Sequence, residues 1–265
     1  MKAPLAVRAH SGSAFRAWLT PPPLPARVQV RDIERLADFE PCYFGGIPGH
    51  EIGEGPLIVA VHGWGGRPAQ MAPLARMLAD EGYRVLVPRL PGHAGGRPTD
   101  IKQAAEALRS LIADVGRPEL VVAHSFASMV LRLAFDPEIP HDVVLVAPAL
   151  DVDDSLQVFG DRLGLFPWVR RGLRRRLEGW DPSLWPTFSS LLPEQMPGAR
   201  VLIVHDPEDD ETSFARSAEL AAIRPATTIV SLPGTGHNRI LASSQTIDAA
   251  TGFIERHTIE DHTAA

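Results

Sequence analysis

Leu120-Val121-Val122-Ala123-His124-Ser125-Phe126-Ala127 decides how the rest of the chain is read. Its first four residues are a continuous apolar run, the pattern of a strand buried on both faces of a parallel sheet. A polar pair, His124-Ser125, follows at once, and residues 126–135 then read as a helix. The same rhythm repeats on both sides. Leu57 to Val61 is an apolar run, and Met71, Leu74, Met77 and Leu78 put one apolar face on a helix over 68–82. Tyr83 to Val87 is a strand, and residues 100–115 are helical by spacing. Val143–Val146, Val201–Val204 and Thr227–Leu232 are further strands, and residues 243–256 make a last helix. Strand–helix alternation with continuous apolar strands predicts an α/β fold: a mostly parallel central sheet with helices on both faces.

Two segments stand outside this rhythm. Residues 1–40 read as an N-terminal arm. It holds a proline-rich stretch, Thr20 to Pro25, of polyproline II character and a short amphipathic piece with Ile33, Leu36 and Phe39. Residues 42–54, with several glycines, suggest a hairpin or an irregular edge. Residues 149–198 separate two strands where a single helix would suffice, and such an insertion commonly serves as a lid or cap. The expected organisation is an arm (1–40), a first half of the core (41–148), a cap insertion (149–198) and a second half of the core (199–265).

Composition excludes several classes. The chain has 265 residues, 45% of them hydrophobic and 22% charged, enough to bury a large core. Net charge is −6, from 26 basic and 32 acidic residues, which gives no global attraction for nucleic acid. Cys42 is the single cysteine, so neither an intrachain disulfide nor a cysteine-based zinc site forms. The N-terminal apolar run is cut by Arg8, and no stretch approaches 18 apolar residues, so a soluble cytoplasmic protein without a membrane partner is expected. No Walker A loop, dinucleotide fingerprint or zincin spacing occurs, and no cofactor or metal is expected.

Ligands of open α/β sheets bind beyond the carboxyl ends of the strands. Those ends carry His62-Gly63-Trp64-Gly65-Gly66, His124-Ser125-Phe126, His205-Asp206-Pro207-Glu208-Asp209-Asp210 and Gly234-Thr235-Gly236-His237. They offer a nucleophile, a carboxylate and a histidine, in the order Ser…Asp…His. A serine hydroxyl attacks at neutral pH only when a base takes its proton, and that base needs a carboxylate to fix its tautomer.

With these residues the chain resembles the α/β-hydrolase superfamily over roughly residues 55–256, the insertion taking the usual cap position. The small-x-Ser-x-small nucleophile elbow is matched by Ala123-His124-Ser125-Phe126-Ala127, with alanines where glycine is commoner. The resemblance implies a catalytic Ser125, with His237 as the base in its Gly-x-Gly-His loop. His-Gly-x-x-Asp maps onto His205 and Asp209, making Asp209 the triad acid; Asp206 stands where glycine is usual. Asp206, Asp210 and the cluster Asp151, Asp153 and Asp154 are alternatives. The oxyanion hole would be the backbone N–H groups of Trp64 and Phe126. His62 and His124 would support loops, and Arg89 would approach the pocket mouth. A serine nucleophile, rather than an aspartate, argues against relatives resembling haloalkane dehalogenases and epoxide hydrolases.

The insertion contains Phe159, Phe166, Trp168, Trp180, Trp185 and Phe188. Phe166, Val169, Leu173, Leu177 and Trp180 form one helical stripe, with Arg170, Arg171, Arg174 and Arg175 away from it. The arginines form a solvated face or attract an anionic group, such as a carboxylate or coenzyme A phosphates. The expected substrate pocket is Trp64, Phe166, Trp168 and Trp180, suited to an apolar acyl or aryl group. The expected activity is serine hydrolysis of a small-molecule carboxylic ester or thioester through an acyl-enzyme. Acyl transfer, carbon–carbon bond hydrolysis by the same triad, and non-catalytic ligand binding are the alternatives.

Overall fold

The computed structural model describes residues 5–20, 26–93, 99–139, 141–182 and 196–264. Pro21–Pro25, Trp185 and Phe188 therefore lie outside the described residues. Eight strands form one sheet: β1 (Glu40–Phe44), β2 (Ile47–Ile52), β3 (Leu57–Val61), β4 (Arg84–Pro88), β5 (Leu120–His124), β6 (Asp142–Val146), β7 (Val201–His205) and β8 (Thr227–Ser231). Their spatial order is β1-β2-β4-β3-β5-β6-β7-β8. The 42–54 region is a hairpin, and its second strand pairs antiparallel with β4; the other pairs, from β4 through to β8, are parallel.

Alternation of side chains along each strand divides the core in two. Val59, Val61, Val121, Ala123, Val143, Leu145, Val201 and Ile203 face one layer. Ile58, Ala60, Leu120, Val122, Val144, Val146, Leu202 and Val204 face the other. Helix α4 (Pro68–Asp80) and the C-terminal helix α10 (Ser244–Ala264) cover the second layer with Met71, Leu74, Leu78, Ile247 and Phe253. Helices α5 (Ile101–Val115) and α6 (Ala127–Ala134) cover the first with Leu108, Leu111, Val130 and Leu131. Helix α9 (Phe214–Ile223) joins β7 to β8. The strands are apolar throughout because both faces are buried, and the fold is α/β, as the sequence pattern implies.

Two helices follow β6: α7 (Val152–Leu163) and α8 (Pro167–Trp180). The stripe expected on α8 is buried at Val169, Leu173 and Leu177. Helix α7 begins where Asp151 accepts hydrogen bonds from the N–H groups of Asp153 and Asp154, so Asp151 is an N-cap. The arm is helical in three pieces: α1 (Leu5–Ala9), α2 (Ser11–Leu19) and α3 (Ala26–Arg35). Helix α2 packs on α8 with Ala14 fully buried. Their approach is close: a Cβ on Gly172 would lie 2.7 Å from the Ser11 Cβ.

Candidate active site

Ser125 sits on the sharp turn between β5 and α6 with φ +56°, a left-handed conformation unusual outside glycine. Surrounding structure holds it there. Its N–H donates to Val146 O at 3.0 Å, and its carbonyl accepts from Ser128 N, Ser128 Oγ and Ala149 N. Ala123 and Ala127 are fully buried, as the close strand–helix approach requires. Such strain persists where the fold over-determines it, commonly at functional positions.

Three strand ends converge. Ser125 Oγ lies 3.0 Å from His237 Nε2, and His237 Nδ1 lies 2.8 Å from Asp209 Oδ2. Asp209 also accepts from the N–H groups of Glu211 at 2.7 Å and Thr212 at 3.1 Å, and from Thr212 Oγ1 at 3.0 Å. Burial alone would raise the Asp209 carboxyl. Hydrogen bonds from His205, His237 and the Glu211 N–H, with the charge of His237, outweigh it and hold the group far below the usual carboxylate range. Its ionised form can therefore fix the imidazole tautomer and stabilise an imidazolium.

The neighbouring acids have other partners. Asp206 is buried and accepts from Gly236 N at 2.5 Å and Glu208 N at 2.9 Å, so it braces the loop that carries His237. Asp210 is exposed. Arg216 lies within 3.4 Å of both Asp151 and Asp154. None of these reaches His237 in place of Asp209. Glu211, which sequence reasoning did not single out, does approach the site. Its Oε2 is 3.3 Å from His237 Nε2, and its Oε1 pairs with Arg162 of α7 at 2.5 Å.

His124 Nε2 donates to His237 O at 2.9 Å, tying the serine strand to the histidine loop. His62 Nδ1 donates to Gly63 O at 3.0 Å, and its Nε2 accepts from Leu90 N at 3.4 Å. Burial pushes each of these two histidines from the ordinary 6.5 down to about 3. Both are neutral in the folded protein at neutral pH and charge on unfolding in mild acid. Stability is therefore complete above pH 6.5 and falls as pH drops towards 3, by about 1.4 kcal/mol per pH unit for each histidine. Urea unfolding at pH 7.5 and 5.0 checks this; an unchanged midpoint would contradict it.

Gly63 lies against the elbow. A Cβ there would be 3.0 Å from Ser125 Cβ and 3.3 Å from His124 O. Gly63→Ala is expected to displace the serine and lower turnover of any ester substrate by about 100-fold, the cost of an ångström-scale misplacement. A steady-state assay on the folded variant checks it.

The serine opens into a cavity of about 590 Å³ lined by Trp18, Trp64, Phe126, Phe159, Arg162 and Glu211, among others. An adjoining cavity of about 530 Å³ includes Trp64 and Trp180. Two of the expected pocket residues do not line either cavity, which corrects the sequence reading. Phe166 and Trp168 stack on each other with centroids 4.6 Å apart, Arg8 lies over Phe166, and Trp168 is 57% exposed. The cause is local: Phe166 is the N-cap of α8, and Trp168 lies off its buried stripe. Arg89 also lines neither cavity; it is exposed, and its N–H bonds Pro48 O. Of the insertion arginines, Arg170 pairs with Asp161, and Arg174 with Asp153 and Glu178. Trp18 was missed, although Phe15, Trp18 and Leu19 carry helical apolar spacing within the arm.

No described helix is long and apolar enough to cross a membrane, and the described residues hold no cluster of three metal-ligating side chains. Comparison with known proteins adds the family. No curated protein matches the sequence. A candidate lipase from Acinetobacter baumannii is 17% identical, with a TM-score of 0.67 over 90% of this chain and 99% of that one. An α/β-hydrolase enzyme from a lagoon-sediment metagenome is 18% identical, with a TM-score of 0.62 over 83% and 99%. An epoxide hydrolase from Vigna radiata is 16% identical, with a TM-score of 0.62 over 83% and 99%. At such identities the likeness is one of fold. The sequence model of the alpha/beta hydrolase family matches residues 58–249, more than half of the chain. The protein belongs to the α/β-hydrolase family.

Proposed function

We propose that the protein is a serine hydrolase of carboxylic esters or thioesters, with Ser125, His237 and Asp209 as its triad. The observation that carries this reading is the hydrogen-bonded line from Ser125 Oγ through His237 to Asp209, with the serine held on a strained elbow. Ser125 Oγ attacks the acyl carbonyl and gives its proton to His237 Nε2. Asp209 holds the Nδ1–H and stabilises the imidazolium. Backbone N–H groups of Trp64 and Phe126 receive the oxyanion. Collapse expels the alcohol or thiol, which takes the proton from His237. Water, deprotonated by the same histidine, then releases the acid and restores Ser125.

The substrate is a small molecule taken up by the cavity at Ser125, and the lone free thiol, Cys42, suits a reducing compartment such as the cytoplasm. The test is steady-state hydrolysis of p-nitrophenyl acetate and butyrate beside the corresponding thioesters. Turnover of at least one series is expected, and stoichiometric binding without turnover would contradict the reading. Asp209 stays ionised, and His62 and His124, at about 3, stay neutral at pH 5 and above, so none of the three is expected to add an ionisation to the pH profile of kcat/KM there. An acid limb with a slope of two in that range would contradict this.

A further inference from the structure

The cavity that adjoins the serine cavity has a wall outside the residues that the family model matches. It is lined by Trp18, Trp64, Phe126, Met129, Val152 and Leu177, together with a few further residues. Its charged lining residue, Asp181, pairs with Lys102. Trp18, Trp64 and Phe126 line the serine cavity as well, so the two chambers adjoin across these three aromatic rings. Trp18 lies on α2, outside residues 58–249 that match the family. Its carbonyl accepts the Trp64 indole N–H at 3.0 Å, and its ring packs edge-on against Phe126 and Phe159. Helix α2 is in turn seated on α8 through Ala14 and the Ser11–Gly172 approach.

We propose that this second chamber receives the uncharged alkyl chain of the substrate's acyl group, and that α2, through Trp18, is the wall that sets chain-length preference. The chemistry of the lining argues for it. Among the described residues its walls are apolar and aromatic, and their one ionic group, Asp181, is already paired with Lys102. An alkyl chain entering it leaves water for aliphatic and aromatic contacts, with its carbonyl beside Ser125.

The proposal rests on the ester-hydrolase reading, so the experiment separates the two. Saturable change of tryptophan fluorescence on adding methyl octanoate to Ser125→Ala measures chamber binding without turnover, since Trp18, Trp64 and Trp180 line the chamber. Binding of methyl octanoate is expected, with methyl acetate far weaker. Val152→Phe, added to Ser125→Ala, fills the chamber and should weaken octanoate binding by about 50-fold, the worth of three methylenes left in water. Gly172→Val, which lines neither chamber, pries α2 from α8 and should weaken it as well; it guards against a Val152→Phe chain that fails to fold. In the Ser125-containing forms, both substitutions should lower the ratio of octanoyl to acetyl ester kcat/KM. Equal binding in folded Val152→Phe and Gly172→Val, or a ratio that neither changes, would overturn the chamber. Octanoate binding that Val152→Phe weakens, in a wild type that hydrolyses no ester, would uphold the chamber and overturn the hydrolase reading.

Discussion

Ser125→Ala is expected to abolish hydrolysis of any ester or thioester that the wild type cleaves, lowering kcat by about 10⁶-fold. The substitution removes one oxygen. The alanine keeps the Cβ, the φ of +56° and the bonds of the elbow to Val146, Ser128 and Ala149. Its effect on stability is therefore small, within about 1 kcal/mol of wild type. That separation of activity from folding makes the variant informative. Thermal unfolding and single-turnover assays on the same preparation provide the measurement. Residual turnover above one hundredth of wild type would move the nucleophile elsewhere.

Asp209→Asn is expected to lower kcat by about 10⁴-fold. The reason lies in the partners of each oxygen. Oδ1 accepts the N–H groups of Glu211 and Thr212, so the amide oxygen of an asparagine takes that place. Its NH₂ then faces His237 Nδ1 where Oδ2 accepted the hydrogen bond from Nδ1–H. Two donors cannot pair, so the imidazole moves its proton to Nε2 and loses the lone pair that accepts from Ser125. Asp206→Asn is the control. It weakens the bonds to Gly236 and Glu208 that brace the histidine loop, costing about 1–3 kcal/mol of stability. It leaves the tautomer of His237 untouched, so its kcat should fall far less. The reverse order of effects would make Asp206 the triad acid.

The sequence made the sheet legible because its strands are apolar on both faces, so short runs such as Val143–Val146 carry an unambiguous signal. The proposed triad was legible for a related reason: once the strands are placed, Ser125, Asp209 and His237 all fall just beyond strand ends. What escaped depends on contacts between distant segments. Helix α2 contains Gly12 and two serines, its N-cap His10 makes no side-chain capping bond, and it is held by burial against α8. Helix α7 was hidden because Asp151, Asp153 and Asp154 looked like candidate catalytic acids, whereas Asp151 caps the helix. Trp168 belongs to the expected pocket as one of the insertion's aromatics, although the stripe from Phe166 through Val169 to Trp180 leaves it outside. Glu211 gave no signal, because its approach to His237 follows from the fold of one loop after β7.

Intact-protein mass spectrometry after incubation with a fluorophosphonate tests the central claim most directly, because the reagent is attacked only by an activated hydroxyl. Wild-type protein is expected to gain the mass of one phosphonyl group, Ser125→Ala none, and Asp209→Asn to react far more slowly. An adduct of the same yield on Ser125→Ala, or none on folded wild type, would contradict the assignment of Ser125 as an activated nucleophile.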